Sequence, residues 1–159
     1  MPDRDARLSV VFVCTGNICR SPMAAAVFSE HLRRVGLADR VRVSSAGTGS
    51  WHVGEPADPR AVAVLKEHGY PITHTAAQVG PEHLSADLLV ALDSGHLRSL
   101  RRMTEDHARI RTLRSFDPAA GDDADVPDPY YGSDDGFTDV LEMIEAAMPG
   151  LIDWVRERL

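Results

Sequence analysis

Cysteine and long apolar runs are both scarce in this chain of 159 residues. Cys14 and Cys19 are its two cysteines, and two thiols so close together do not make the disulfide framework of a small secreted domain. No run approaches the roughly 20 consecutive apolar residues of a membrane helix. The charged N-terminus lacks the pattern of a secretory signal. We therefore expect a cytoplasmic protein with no membrane partner, whose reduced thiols are available for chemistry.

Basic patches and metal-ligand patterns are also missing. Lysine occurs once against 16 arginines, the net charge is -7, and no dense basic stripe with interleaved aromatic residues occurs. The composition therefore does not predict a nucleic-acid partner. The seven histidines are scattered without ligand spacing, and the acidic run DDADVPD lacks the glycine and terminal glutamate of a calcium loop. We expect no metal site.

Apolar periodicity predicts strands that alternate with helices. Residues 8–13, 41–47 and 87–92 form apolar or β-branched runs of strand length, and 109–113 form a weaker one. Helical spacing separates these runs, and a long amphipathic helix from Phe137 to Val155 should kink or break at Pro149-Gly150. The pattern predicts one α/β domain over residues 1–159, with a four-stranded parallel sheet between two helical layers.

One segment interrupts this rhythm. Residues 114–132, RSFDPAAGDDADVPDPYYG, are rich in Asp, Pro and Gly and show no periodicity. A loop of this length is either disordered or functional. The adjacent Tyr130 and Tyr131 argue against full disorder, because aromatic side chains pack.

The end of the first strand carries the strongest chemical signal. The sequence CTGNICRSP places Cys14 at the carboxyl end of a buried strand, and Ser21-Pro22 then begins a helix. Unpaired N–H groups at such a helix start bind anions, and Arg20 adds a planar fork that matches phosphate. This field favours the thiolate of Cys14, to which Ser21 can donate a hydrogen bond. Nucleophile and oxyanion site together predict attack of sulfur on phosphorus.

The motif Cys14-x5-Arg20-Ser21 resembles the signature of low-molecular-weight protein tyrosine phosphatases. The resemblance continues through SSAGT (44–48), HGYPITHTAAQV (68–79), ALDSGHL (91–97) and DPYYG (128–132). It implies a bacterial member of the family that hydrolyses phosphotyrosine in proteins and small aryl phosphates through a phosphocysteine intermediate. It implies no cofactor, phosphotyrosine-containing proteins or peptides as partners, and a monomer.

The resemblance also assigns roles by position. Cys14 is the nucleophile, Arg20 the phosphate clamp and Asp128 the general acid. The remaining phosphate-loop residues are Thr15, Gly16, Asn17, Ile18, Cys19 and Ser21. The resemblance implies that Ser45 and His74 hold Asn17, although packing alone also accounts for His74. Trp51, Tyr130 and Tyr131 resemble the walls of an aryl slot.

Three other functions fit part of the pattern. Arsenate reductases of related fold resolve their intermediate with additional cysteines, which this chain lacks. Protein arginine phosphatases tend to carry threonine at the position of Ile18, whereas isoleucine favours an aryl phosphate. A phosphopeptide-binding module would be expected to lack the nucleophile or the acid.

Cys19 has two interpretations. In many members of the family a second loop cysteine forms a disulfide with the nucleophile and protects it from overoxidation. Simple packing behind the loop is the other interpretation, because free cysteine is usually buried.

Overall fold

Residues of the first strand point alternately to the two faces of a parallel sheet. The computed structural model describes residues 7–122, 125–130, 132 and 134–159. Strands β1 (Leu8–Cys14), β2 (Val41–Gly47), β3 (Leu88–Ala91) and β4 (Ile110–Thr112) pair in the order β2-β1-β3-β4, all parallel. Val10 and Phe12 join one apolar cluster, and Val11 and Val13 join another. The continuous apolar run of β1 follows from this burial on both faces.

Helices cover both faces of the sheet. They are α1 (Arg20–Arg34), α2 (Pro59–Glu67), the short α3 (Pro81–Leu84), α4 (Ser94–Met103) and α5 (Asp134–Arg158). Phe28 of α1, Leu65 of α2 and Leu141 of α5 belong to the larger cluster, whereas Leu100 of α4 belongs to the smaller one on the opposite face. The predicted three-layer α/β/α architecture with a four-stranded parallel sheet is confirmed.

The strand order creates a crevice at the carboxyl ends of β1 and β3. The chain passes from β1 to β2 on one side and returns to β3 on the other side of β1. Open α/β sheets bind ligands where the strand order reverses in this way. The segment Thr15–Cys19 joins β1 to α1 at this point, and Asp93 follows β3 there.

The last helix does not break at Pro149, which was one of the two outcomes expected there. Helix α5 continues through Pro149, although proline costs a helix interior about 3 kcal/mol. Ala147, Met148 and Leu151 are completely buried, so tertiary packing outweighs the local cost. A Cβ atom on Gly150 would lie 2.3 Å from the backbone oxygen of Phe116, which means that glycine permits this close approach. Among the helices of the described residues, none is long and apolar enough to cross a bilayer.

The segment after β4 is more ordered than its composition indicates. Short 3-10 helices form at Leu113–Phe116 and Pro118–Ala120. Phe116 and Val126 are buried in the larger apolar cluster. The described part of residues 114–132 is therefore packed onto the domain, in line with the expectation that the segment is not fully disordered. Others of these short helices lie at Ala38–Arg40 and His107–Arg109.

Candidate active site

The loop between β1 and α1, residues 14–20, forms an anion-binding nest and is called the phosphate loop below. Asn17 adopts a left-handed conformation with φ 58°, which asparagine tolerates better than most residues. A Cβ atom on Gly47 would lie 2.6 Å from the backbone oxygen of Thr15, so the end of β2 requires glycine to approach this loop. In the part of the chain that the structure describes, the N–H groups of residues 16–19 donate to no protein acceptor. They are available to an anion at the start of α1.

Cys14 lies beneath this nest with a hydroxyl directed at its sulfur. The residue is 3% exposed, and its Sγ lies 2.8 Å from Oγ of Ser21. Ser21 Oγ accepts a hydrogen bond from Nδ2 of Asn17 at 2.8 Å. Because that oxygen is already an acceptor, its own proton is free to point at sulfur. This geometry stabilises a thiolate on Cys14.

The amide of Asn17 is oriented by three partners. Its Nδ2 donates to Oγ of Ser45 at 2.9 Å as well as to Ser21, and its Oδ1 accepts from the N–H of Ala77 at 2.9 Å. Nε2 of His74 donates to the backbone oxygen of Asn17 at 2.6 Å. Burial lowers the pKa of His74, although its bond to that oxygen opposes the shift. Asn17, Ser45 and His74 therefore meet behind the loop.

Arg20 is held by groups that the sequence interpretation did not assign. The arginine is 4% exposed, and its Nη1 donates to Oδ2 of Asp93 at 2.9 Å and to the backbone oxygen of Val126 at 2.8 Å. Burial acts to raise the pKa of Asp93, but hydrogen bonds from the N–H of His96 and from Arg20, with the charges of His96 and Arg20, lower it below its ordinary value. Asp93 is thus a carboxylate that fixes the guanidinium beside the nest.

His96 is a second residue that the sequence interpretation missed. Its Nε2 lies 2.8 Å from Oγ1 of Thr15, and burial lowers its pKa to about 4. The imidazole is therefore neutral at pH 7, and its charge acts on Asp93 only in the acid range in which the two groups titrate. Asp93 follows a buried strand and accepts from the N–H of His96 as the N-cap of α4. The sequence did contain a signal for Asp93: an acidic residue directly after a buried strand lies at the edge of the sheet where Arg20 is also expected.

Asp128 and the phosphate loop line one cavity of about 420 Å³. Oδ2 of Asp128 lies 3.7 Å from Nη2 of Arg20, and its Oδ1 accepts from the N–H of Tyr130 at 3.0 Å. The lining residues are Cys14, Thr15, Gly16, Ile18, Cys19, Arg20, Trp51, His52, Asp128 and Tyr130. Asn17 and Ser21 are fully buried and do not line the cavity, so their side chains act from behind the nest.

The rim of this cavity is aromatic. Trp51 is 74% exposed and Tyr130 is 38% exposed, and the ring of His52 lies 6.2 Å from that of Tyr130. His52 was not predicted; its Cδ2 would lie 2.9 Å from a Cβ atom on Gly16, and its position directly after Trp51 was the only signal in the sequence. Tyr131, the other predicted wall residue, lies outside the described residues.

Among the described residues, no group of three histidine, cysteine or acidic side chains converges to hold a metal ion. The groups that do converge are a buried thiol, a fixed guanidinium, free backbone N–H groups and a carboxylate. Together they define the class of phosphatases that use a Cys-x5-Arg loop.

Comparison with known proteins identifies the family. Residues 9–159 match the sequence profile of the family described as low molecular weight phosphotyrosine protein phosphatase. Low molecular weight protein-tyrosine phosphatase A of Mycobacterium bovis is 63% identical over 153 residues, which cover 96% of this chain and 94% of that protein. The chain belongs to the low molecular weight phosphotyrosine protein phosphatase family, and the predicted enzyme class, a phosphoric monoester hydrolase, is confirmed.

Solved structures agree with this assignment. The protein tyrosine phosphatase of Entamoeba histolytica, crystallised with Hepes in its active site, superposes with a TM-score of 0.89 at 33% identity, covering 94% of this chain and 97% of that one. A Drosophila arginine phosphatase superposes with a TM-score of 0.84 at 29% identity, covering 91% and 95%. The fold is therefore similar to that of enzymes named for two different phosphorylated residues.

Proposed function

We propose that this enzyme hydrolyses phosphotyrosine in proteins, and small aryl phosphates, through a phosphocysteine intermediate. The observation that carries the proposal is the meeting of Cys14, Arg20 and Asp128 in one cavity, with the hydroxyl of Ser21 2.8 Å from the nucleophilic sulfur. Nucleophile, charge stabiliser and proton donor are the three groups that hydrolysis of an aryl phosphate through a covalent intermediate requires.

The first half of the proposed reaction forms a sulfur–phosphorus bond. Thiolate Cys14 attacks phosphorus in line as the bond from phosphorus to the phenolic oxygen breaks. Charge on the three equatorial oxygens is stabilised by the loop N–H groups and by Arg20, which Asp93 and Val126 hold in place. Asp128 transfers its proton to the departing phenolic oxygen, so tyrosine leaves as the neutral phenol.

The second half returns the enzyme to its starting state. Asp128, now a carboxylate, removes a proton from water, and the water oxygen attacks the phosphorus of phosphocysteine. The sulfur leaves as a thiolate, stabilised again by the hydroxyl of Ser21. Inorganic phosphate is released, and no cofactor or metal takes part in either half.

The shape of the rim favours an aryl substrate. Trp51 and Tyr130 offer ring faces on which the phenyl group of phosphotyrosine can stack. Ile18 adds an apolar contact inside the cavity, where the arginine phosphatases of this fold tend to place threonine. Phosphoserine is too short to carry its phosphate past the rim into the nest.

A substrate panel tests this assignment. We expect phosphotyrosine peptides and p-nitrophenyl phosphate to be hydrolysed with kcat/KM at least about tenfold above that for phosphoarginine, because a wrong fit in an apolar pocket costs about 1–3 kcal/mol. Phosphoserine peptides of the same sequence are the control and should be poor substrates. Preference for phosphoarginine would make the enzyme an arginine phosphatase, the function that its Drosophila structural neighbour favours.

The remaining alternatives are separated by the same panel. A phosphopeptide-binding module would bind the peptides without releasing phosphate, and an arsenate reductase would consume arsenate in the presence of a thiol reductant. Every residue assigned to the proposed reaction belongs to one chain, which supports the proposal that the enzyme acts as a monomer. We also propose that it acts in the cytoplasm. Sedimentation analysis tests the monomer, and cell fractionation tests the location.

Cys19 is proposed as a guard of the nucleophile against oxidation. Burial, followed by the negative charge of Asp58, raises the pKa of Cys19 to about 12. Cys19 is therefore a thiol at neutral pH and is inert toward peroxide, whereas a thiolate on Cys14 reacts. The sulfenic acid formed on Cys14 then condenses with the thiol of Cys19, which yields a disulfide and water.

Peroxide treatment tests this guard role. We expect dithiothreitol to restore most activity to the oxidised wild type, because the disulfide is reducible, but to restore much less to Cys19→Ser, where Cys14 proceeds to sulfinic acid. Recovery is measured as the turnover rate before oxidation, after oxidation and after reduction. Equal recovery in both proteins would leave Cys19 with a packing role only.

A further inference from the structure

Asp58 and Arg60 form an ion pair at the start of α2 that the proposed reaction does not use. Nε of Arg60 donates to Oδ1 of Asp58 at 3.1 Å, and Nη2 donates to Oδ2 at 3.0 Å. The carboxylate of Asp58 also accepts from the N–H of Arg60 at 2.8 Å, as the N-cap of α2. The side chain of Asp58 is 7% exposed and that of Arg60 is 34% exposed, so the carboxylate of this two-pronged pair is held largely out of water while the guanidinium stays partly accessible.

One end of the pair contacts the phosphate loop. The N–H of Asp58 donates to the backbone oxygen of Ile18 at 2.8 Å. Ile18 lines the cavity, and in the sequence it lies between the nucleophile Cys14 and the clamp Arg20. The position of Asp58 is therefore tied directly to the nest that binds phosphate.

The other end contacts the segment that bears the acid. Nη2 of Arg60 donates to the backbone oxygen of Tyr130 at 3.0 Å, and Nη1 donates to that of Gly132 at 3.4 Å. Asp128 depends on the same segment, since its Oδ1 accepts from the N–H of Tyr130. Tyr130 thus links the two side chains: its carbonyl accepts from Arg60, and its N–H orients the carboxylate of Asp128.

Two aromatic rings fix the guanidinium between these ends. Its central carbon lies 4.7 Å from the ring centroid of Phe137, which is buried in α5, and 5.6 Å from that of Tyr130. Cations over aromatic faces are attracted by the ring, more strongly when they are partly desolvated. Arg60 therefore contacts the core helix α5 and the ring of the substrate slot directly, and it is connected to the phosphate loop through Asp58.

We propose that Arg60 is a positioning residue for the general acid. With Asp58 as its counter-ion, it holds Asp128 and Tyr130 at their distance from the phosphate loop. The role requires the planar fork, because one guanidinium donates to Asp58 and to the carbonyls of Tyr130 and Gly132 together. The proposal rests on the proposed function, since it gives Arg60 a part in the proton transfer assigned to Asp128.

The leaving group separates positioning from general support of the fold. A displaced Asp128 slows loss of tyrosine, which needs a proton, but hardly affects 2,4-dinitrophenyl phosphate, whose acidic phenol leaves as an anion. A distorted phosphate loop would slow both substrates alike. The ratio of kcat/KM for the two substrates therefore reports on the acid alone, because kcat/KM covers the steps up to departure of the phenol.

The experiment compares Arg60→Gln, Arg60→Lys and Asp128→Asn with wild type on both substrates. Misplacement of a catalytic group by about 1 Å costs on the order of 100-fold, so we expect Arg60→Gln to lower kcat/KM about 10- to 100-fold for phosphotyrosine and less than about threefold for the dinitrophenyl ester. Arg60→Lys, which keeps the charge without the fork, should behave like Arg60→Gln. Arg158→Gln is the matched control, because Arg158 stacks on Trp154 near the end of α5 and should change neither value.

Each outcome decides the proposal. A selective loss in Arg60→Gln and Arg60→Lys supports it, whereas an equal loss on both substrates, or full activity in Arg60→Lys, overturns it. If Arg60→Gln does not fold, Asp58→Asn replaces it, since asparagine still caps α2 but weakens the pair, and the same selective loss is expected. Failure of the proposed function itself has a different signature: the wild type is inactive on both esters, or Asp128→Asn shows no selectivity.

Discussion

Replacement of Cys14 by serine is expected to lower kcat by on the order of 10⁴-fold or more, while phosphate still binds. The serine hydroxyl is not ionised at neutral pH, and the hydroxyl of Ser21, which lies 2.8 Å from the atom at this position, donates toward it and does not remove its proton. Backbone N–H groups of the nest and the guanidinium of Arg20 do not depend on the sulfur. Nucleophilicity is therefore lost and anion binding is retained.

The measurement combines turnover with binding. Release of phosphate from p-nitrophenyl phosphate gives kcat, and calorimetric titration with inorganic phosphate gives Kd. Rapid quenching of the wild type should trap a phosphoenzyme whose modified peptide contains Cys14, and this species should be missing from Cys14→Ser. Cys19→Ser is the control, because it makes the same substitution at the other cysteine of the loop, and it should keep measurable turnover. Full turnover in Cys14→Ser would contradict the covalent mechanism.

The sequence predicted the parts of the site that lie close together along the chain. Cys14, Arg20 and Ser21 occur within eight residues. The physics of a strand, a turn and a helix start already places the sulfur and the guanidinium around one anion, with the hydroxyl of Ser21 directed at the sulfur. The parallel sheet was equally readable, because β1 and β3 are buried on both faces and carry no polar alternation. These predictions required only local geometry and periodicity.

The missed contacts join residues that are far apart in sequence. Arg20 is held by Asp93 and by Val126, which lie 73 and 106 residues away, and Thr15 meets His96 across 81 residues. Each of these partners has an ordinary local interpretation, as a helix cap, an apolar residue or a surface histidine. Only the return of β3 beside β1 brings them to the phosphate loop.

Local rules also allowed a break in α5 that does not occur, for the same reason. Proline normally interrupts a helix, but the segment around Pro149 packs into the core more favourably than the lost hydrogen bond costs. This packing energy depends on residues that are distant in the sequence, so the local sequence does not reveal it. The segment 114–132 shows the converse, since its buried Phe116 and Val126 anchor a stretch that composition alone describes as a loop.

Replacement of Asp128 by asparagine is expected to lower kcat/KM for phosphotyrosine about 10²- to 10⁴-fold, the usual worth of general acid assistance. Asparagine can keep the hydrogen bond from the N–H of Tyr130, so the segment retains its position, but it carries no transferable proton. The loss should be much smaller for 2,4-dinitrophenyl phosphate, since its leaving group is stable without protonation. The two substrates, assayed across pH, measure this difference.

The affinity for inorganic phosphate should change in the opposite direction to kcat/KM in Asp128→Asn, and measuring it completes the test. Oδ2 of Asp128 lies 3.7 Å from Nη2 of Arg20, so an ionised carboxylate competes with the anion for the same cation and repels it. Asparagine removes that charge, and we expect inorganic phosphate to bind to Asp128→Asn as tightly as to wild type or a few-fold more tightly. Weaker phosphate binding together with an equal loss on both esters would mean that Asp128 supports the shape of the cavity and does not supply the proton.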